Sequence, residues 1–314
     1  MSSDNLPKEL REFKDLFVEL SYKHSESRLW TDFLEIIICC YAMQQMEERY
    51  LEIVKSYNQK ELKAISKMFS IMIELYSKYT SEVRWYDGLG IFYECFINTP
   101  SKASRTGQFF TPPCVCDMSA RSIIAPTNRN AGLKINDCAC GSGRMLLAAN
   151  TAAPGNYYFG EDMDPMCVYL TAVNFLFHSM EGQIVCHDSM DVCSFNFGYE
   201  IRKPAVFGKI IPVIRKIEKE EAYIYQIGLE MVKEFEKSKA EQKALISQTI
   251  THHHPYYYQA AKEANTAINV VLIAIKATNY CILSLNATLC SQFKYICVLV
   301  RLNAIIYSGL LIYI

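Results

Sequence analysis

The sequence predicts an α/β protein: an N-terminal helical domain followed by a doubly wound, largely parallel sheet. Three observations point there. Glycine is absent before Gly88, and twelve of the thirteen glycines lie between Gly88 and Gly228, so the opening segment is poor in turns. Apolar residues in that segment recur at helical steps. From Leu133 to Asp188, short apolar runs alternate with helical ones, the pattern of repeated β-α-β units.

The helical domain is read as residues 1–84. Pro7 suits the first turn of its opening helix, along which Leu10, Phe13, Phe17 and Leu20 form one stripe. Ile65, Met68, Phe69, Met72, Ile73 and Tyr76 form another. Both stripes read as core. In the sheet domain, residues 85–245, "LKIND" (133–137) is a first strand, followed by a glycine loop and a helix through Asn150. "YYFGEDM" (157–163) is a second strand. The helix after it begins at Pro165 and is expected to close at Gly182, and "QIVCHD" (183–188) is a third strand. "AVFGKIIPVI" (205–214) is a weaker strand candidate because of Pro212, and Ile224, Ile227, Met231 and Phe235 mark one face of a charged helix.

Composition narrows the function classes. A net charge of −1 excludes a uniformly basic nucleic-acid coat, so any such contact needs a local patch. Arg202, Lys203, Lys209, Arg215 and Lys216 supply one candidate, for which a solvated surface is an equal account. The polar, amphipathic start carries no secretory pattern, and the thirteen cysteines are scattered, so a cytoplasmic chain with reduced thiols is expected. Cys114 and Cys116, like Cys138 and Cys140, are one residue apart, poor spacing for zinc, and no metal is expected.

The remaining segment, 246–314, is an apolar tail of uncertain role. From Thr251 onward only Lys262, Glu263, Lys276, Lys294 and Arg301 are charged. Residues 295–314 are long enough for a bilayer, yet Arg301 and Asn303 near the middle cost several kcal/mol there. A buried or interface-forming tail, or a stretch not shaped by the same selection as the body, is preferred to a membrane anchor.

The chemistry gathers at "INDCACGSGRMLLAA" (135–149). A dinucleotide loop wants a third glycine where Leu146 stands, and a P-loop wants Gly-Lys-Ser/Thr, which does not follow. What remains is an acid ending a strand, then G-x-G. Asp137 can accept charge-assisted hydrogen bonds from an ammonium group, while Gly141 and Gly143 let the chain pass a sugar or methionyl group without a Cβ clash. Asp162, 19 residues after Gly143, can reach ribose hydroxyls, and Asp188 an adenine amino group. Three acids at three successive strand ends describe a nucleoside site. The alternative is that these acids only cap helices.

Beside "GQFFTP" (107–112), this loop resembles the amino-type DNA adenine-N6 methyltransferases, and most closely the modification subunits of type I restriction systems. "DGLGIFYECF" (87–96) matches their D-x-LG-x-x-YE-x-F, and "DCACGSG" (137–143) their DPACGSG with Cys138 in place of proline. "FGEDMDP" (159–165) and "VCHDS" (185–189) look like the ribose and adenine segments. The likeness is firm over roughly residues 85–190. It implies a Rossmann-like methyltransferase fold and S-adenosylmethionine as cofactor. Phe109 and Thr111 would flank its methionyl end, Asp137 its amino group, Asp162 its ribose and Asp188 its adenine. It also implies DNA as substrate and a specificity subunit as partner.

One family element has no match: Asn/Asp-Pro-Pro-Tyr/Phe, which holds the target amino group and stacks on a flipped base, does not occur. "NFGY" (196–199) is the nearest imitation, with Asn196 and Tyr199 as catalytic candidates and a polar loop as the bland reading. The leading expectation is a site-specific DNA adenine methyltransferase of restriction-modification type. Its rival is a cofactor-binding but silent remnant or accessory protein. A methyltransferase acting on RNA, protein or a small molecule is weighed against by GQF-x-TP.

Overall fold

The computed structural model describes residues 6–83, 85–98, 108–123, 132–191, 194–206, 208–252 and 310–313. A 3-10 turn, Lys8–Leu10, follows Pro7. Helices α1 (Arg11–Ser21), α2 (Glu26–Tyr41), α3 (Glu47–Val54) and α4 (Gln59–Val83) come next. Leu10, Phe13, Phe17 and Leu20 are buried as their spacing predicts. Phe13 and Phe17 each meet Trp30 and Phe92 edge to face, a favoured aromatic geometry. The second stripe is narrower than expected: Met68, Met72 and Tyr76 are buried but Ile73 is 43% exposed. Asp87 caps the short helix α5 (Gly88–Phe92), which runs into a π-helical turn, Tyr93–Ile97. Helix α6 (Pro113–Ile123) follows.

Strands β1 (Lys134–Asp137), β2 (Tyr157–Asp162) and β3 (Glu181–Cys186) pair in parallel. Helices α7 (Arg144–Ala152) and α8 (Pro165–Phe177) make the crossovers. Ile135, Tyr158 and Ile184 enter the same continuous core as the N-terminal helices, with α2 and α4 packed on α8. Gly182 does not close α8. The helix ends at Phe177, Ser179 takes a φ of 48°, and Gly182 lies inside β3, where a Cβ would collide with the Tyr158 carbonyl.

Beyond β3 the pairing reverses. Strand β4 (Phe197–Arg202) runs antiparallel to β3, so "NFGY" opens a strand and is not a polar loop. Only ten residues, 187–196, separate β3 from β4, and a parallel crossover needs a dozen or more. A small ribbon, β5 (Ala205–Val206) with β6 (Lys209–Ile210), precedes β7 (Val213–Ile217), which is antiparallel to β4. Pro212 falls between strands, where it removes no ladder bond.

The long helix α9 (Tyr223–His252) starts against the other sheet face. There the Tyr223 ring lies 4.7 Å from Phe159, and Val185, Ile217 and Ala222 form a second, smaller cluster. The result is a mixed α/β sheet with helices on both faces. Strand β8 (Leu310–Tyr313) pairs antiparallel with β1, giving the order β7-β4-β3-β2-β1-β8. The rest of the tail from residue 253 lies outside the described residues. Among the described residues, no helix is long and apolar enough to cross a membrane.

Candidate functional site

The carboxyl ends of β1, β2 and β3 open onto a cavity of about 350 Å³ whose walls include Gln108, Phe109, Phe110, Gly141, Asp162 and Asp188. Such a cleft at parallel strand ends is where α/β sheets hold ligands. The loop after β1 forms one wall. Gly141 has φ +57° and Gly143, which precedes α7, has φ +84°. A Cβ on Gly141 would stand 2.9 Å from the Phe110 ring, and one on Gly143 3.0 Å from Thr171. Both glycines are therefore needed for backbone conformation and for close packing against protein side chains.

The three strand-end acids differ in environment. Asp162 accepts from the Gly141 amide at 3.0 Å and the Asp164 amide at 2.9 Å, which ties β2 to the loop. Burial raises its pKa above the usual carboxylate range. Asp188 is exposed beyond the end of β3 and accepts from the Met190 amide at 2.9 Å. Asp137 is only 2% exposed and is not a cavity wall. Its carboxylate takes one backbone bond, from Ala139, and burial pushes its pKa up to about 7, helped by the neighbouring charges of Asp162 and Glu161. Two of the three strand-end acids thus share the hollow, while Asp137 is buried and not among its walls.

The segment beginning at Gln108 is bolted down by its own side chain. The Gln108 amide nitrogen donates to Asp164, the N-cap of α8, at 2.8 Å, and contacts the Cys167 sulfur. Its oxygen accepts from Tyr93 and Asn98. Phe109 is left 67% exposed at the cavity, while the Phe110 amide donates to Glu94. Thr111 is not a cavity wall, and its carbonyl accepts from Arg144 at 3.4 Å.

Sequence reading missed the group that holds the loop from behind. Asp87 accepts from the Gly90 amide, Ser142, Arg144 and Asn174. Arg144 also donates to Glu94, and Asn174 accepts from Tyr76 at 2.6 Å, which joins α4 to the cluster. The available signal was charge inside apolar runs, Asp87 and Glu94 in "DGLGIFYECF" and Arg144 opening "RMLLAA".

The residues read as catalytic are not brought to the cavity. Asn196 is exposed, just before β4, with its side-chain amide against the Cys186 sulfur. Tyr199 is 1% exposed, packed with Phe197 and Tyr169 on the core side of β4. A ring so enclosed has no free face for a base to stack on. Three members of the basic run already have partners: Arg202 with Glu200, Arg215 with Glu200 and Glu221, and Lys203 with Glu181. Among the described residues, no group of histidine, cysteine and acidic side chains has the makings of a metal site.

Chemically, the cavity offers three carboxylates, Asp162, Asp164 and Asp188, as acceptors for hydroxyl or amino donors, a stretch of bare backbone and an exposed aromatic plate. Those features suit a nucleoside. Residues 84–201 match the family model described as N-6 DNA methylase. The chain is 28% identical over 227 residues to a type I restriction enzyme methylase subunit, MjaIX, of Methanocaldococcus jannaschii, covering 63% of this chain and 39% of the relative. The chain therefore spans about two-fifths of that relative's length. A type I restriction-modification methyltransferase subunit from Streptococcus thermophilus superposes with a TM-score of 0.32 at 17% identity, over 57% of this chain and 44% of the other, too slight a match to bear on the fold. Residues 84–201 thus resemble the N-6 DNA methylase family, and the wider chain is similar to a type I restriction enzyme methylase subunit.

Proposed function

We propose that the cavity holds S-adenosylmethionine and that the chain serves N6-methylation of adenine in DNA. The observation carrying this reading is the shared hollow: Asp162 and Asp188 on one cavity, floored by the glycine loop and edged by Phe109. The bound cofactor would supply an electrophilic methyl group. Asp162, fixed by two backbone amides, would take ribose hydroxyls, and Asp188 would take the adenine amino group. Asp137 would attract the ammonium end once ionised. Phe109 and the Thr111 segment would flank the methionyl chain.

Methyl transfer is a displacement governed by positioning and needs no metal. Asn196, the sequence candidate for aiming the target amino group, is exposed but outside the cavity walls, and the buried Tyr199 is poorly placed for stacking on a base. The reading of the full activity includes a partner subunit that supplies sequence recognition, as the relative's description as a subunit suggests.

Titration calorimetry with S-adenosylmethionine tests the cofactor reading, with saturable one-to-one binding expected and no heat of binding refuting it. Incubation with methyl-labelled cofactor and mixed-sequence DNA tests the activity, read as N6-methyladenine in the digested DNA. Binding without that product, also when a sequence-recognising partner subunit is added, selects the silent-remnant alternative.

A further inference from the structure

Asn136, Glu161 and His187 form a polar row on the sheet face turned away from α7 and α8, and they are only 2%, 3% and 6% exposed. The Asn136 side-chain nitrogen donates to Glu161 Oε1, and His187 Nε2 lies 2.6 Å from Glu161 Oε2. Asn136 Oδ1 has no protein partner. Each member immediately precedes a strand-end acid: Asp137, Asp162 and Asp188.

The backbone repeats the tie. The His187 amide donates to the Asp162 carbonyl at 3.0 Å, and the Cys140 amide to the Glu161 carbonyl at 2.9 Å. Adjacent side chains along a strand point to opposite faces, so a clamp under one face constrains the acids presented from the other. A buried carboxylate–imidazole pair is weak evidence for stability, because well-packed apolar residues of similar volume often do as well or better. What apolar residues cannot supply is a directional bond of set length between the ends of β2 and β3.

We propose that the Glu161–His187 pair is a positioning device that sets the separation of Asp162 and Asp188, and with it the fit of the cavity to the ribose and adenine of one nucleoside ligand. This rests on the S-adenosylmethionine reading of the cavity.

The test uses the full chain, with S-adenosylmethionine and 5′-methylthioadenosine as calorimetric probes. The second probe carries ribose and adenine without the amino-acid end. The double replacement E161L/H187L removes the buried charge together with its partner. It is expected to keep the melting temperature within a few degrees while weakening both probes by about tenfold. H187Q, whose side-chain nitrogen can still donate to Glu161, is expected to bind within about threefold of wild type, as the retained bond implies. Wild-type affinity in E161L/H187L overturns the proposal. If that variant does not fold, H187Q and H187L are compared, and equal affinity in the two overturns it. A wild-type chain that binds neither probe overturns the cofactor reading and this proposal together, whereas binding unaffected by D162N and D188N overturns this proposal and leaves the cofactor reading standing.

Discussion

Arg144, the first residue of α7, is buried with Asp87 as its ion-pair partner 57 residues earlier in the chain. Asp87 accepts from Ser142 at 2.6 Å and from Asn174 at 2.8 Å at the same time, so one carboxylate fastens the glycine loop, α7 and α8. Removing one partner leaves a buried charge unpaired. R144M is expected to cost about 3–5 kcal/mol of folding stability, and D87N a comparable amount. Chemical denaturation read by circular dichroism checks this, and a change below about 1 kcal/mol shows that the pair is not holding the loop.

Gly141 combines a φ of +57° with the Phe110 ring 2.9 Å from any added Cβ. G141A is expected to lose about 1–3 kcal/mol of stability from backbone strain and crowding. The loop forms part of the cavity wall, so nucleoside binding should fall with it. The relieving double variant G141A/F110L should recover part of the stability, measured in the same denaturation series.

Phe109 offers a separation of site from core. Because it is 67% exposed, F109A is expected to change stability by no more than about 0.5 kcal/mol. In the proposed site it should still weaken S-adenosylmethionine by about tenfold through lost apolar contact. A melting temperature lowered by many degrees, with affinity unchanged, would assign Phe109 to packing.

Two buried groups give pH dependences of opposite sign. Asp137 has a folded pKa raised to about 7 by burial, so the folded state binds the proton more tightly than the unfolded chain. Its contribution is therefore present below the unfolded pKa and lost as pH rises toward about 7. His178 is held neutral: burial lowers its pKa to about 4, while its Nε2 accepts from the Tyr86 amide at 3.0 Å. Its contribution is present above the unfolded pKa and lost as pH falls through about 4. In D137N only the histidine effect remains of the two, so stability should rise more steeply between about pH 4 and 6.5 than in wild type. Denaturant midpoints at half-unit steps of pH measure it, and parallel curves for the two proteins would reject the Asp137 assignment.

The sequence by itself determined what depends on local pattern. Helical spacing around Phe13, Phe17 and Met72 and the strands ending at Asp137 and Asp162 follow from neighbours a few residues apart, whose geometry a regular helix or strand dictates, whereas the crowding of Gly141 by Phe110 and of Gly143 by Thr171 arises only in the folded chain. Only the tertiary structure decided which acids share the hollow, that Asp137 is buried and not among its walls, and that Tyr199 is enclosed against Tyr169. The reversal at β4 was within reach of loop length, but the clamp from Glu161 to His187 and the pairing of Asp87 with Arg144 were not. A charged residue's spacing along the chain says nothing of its partner when the two meet through a folded sheet, because burial and the lowered dielectric around the pair exist only after the elements pack.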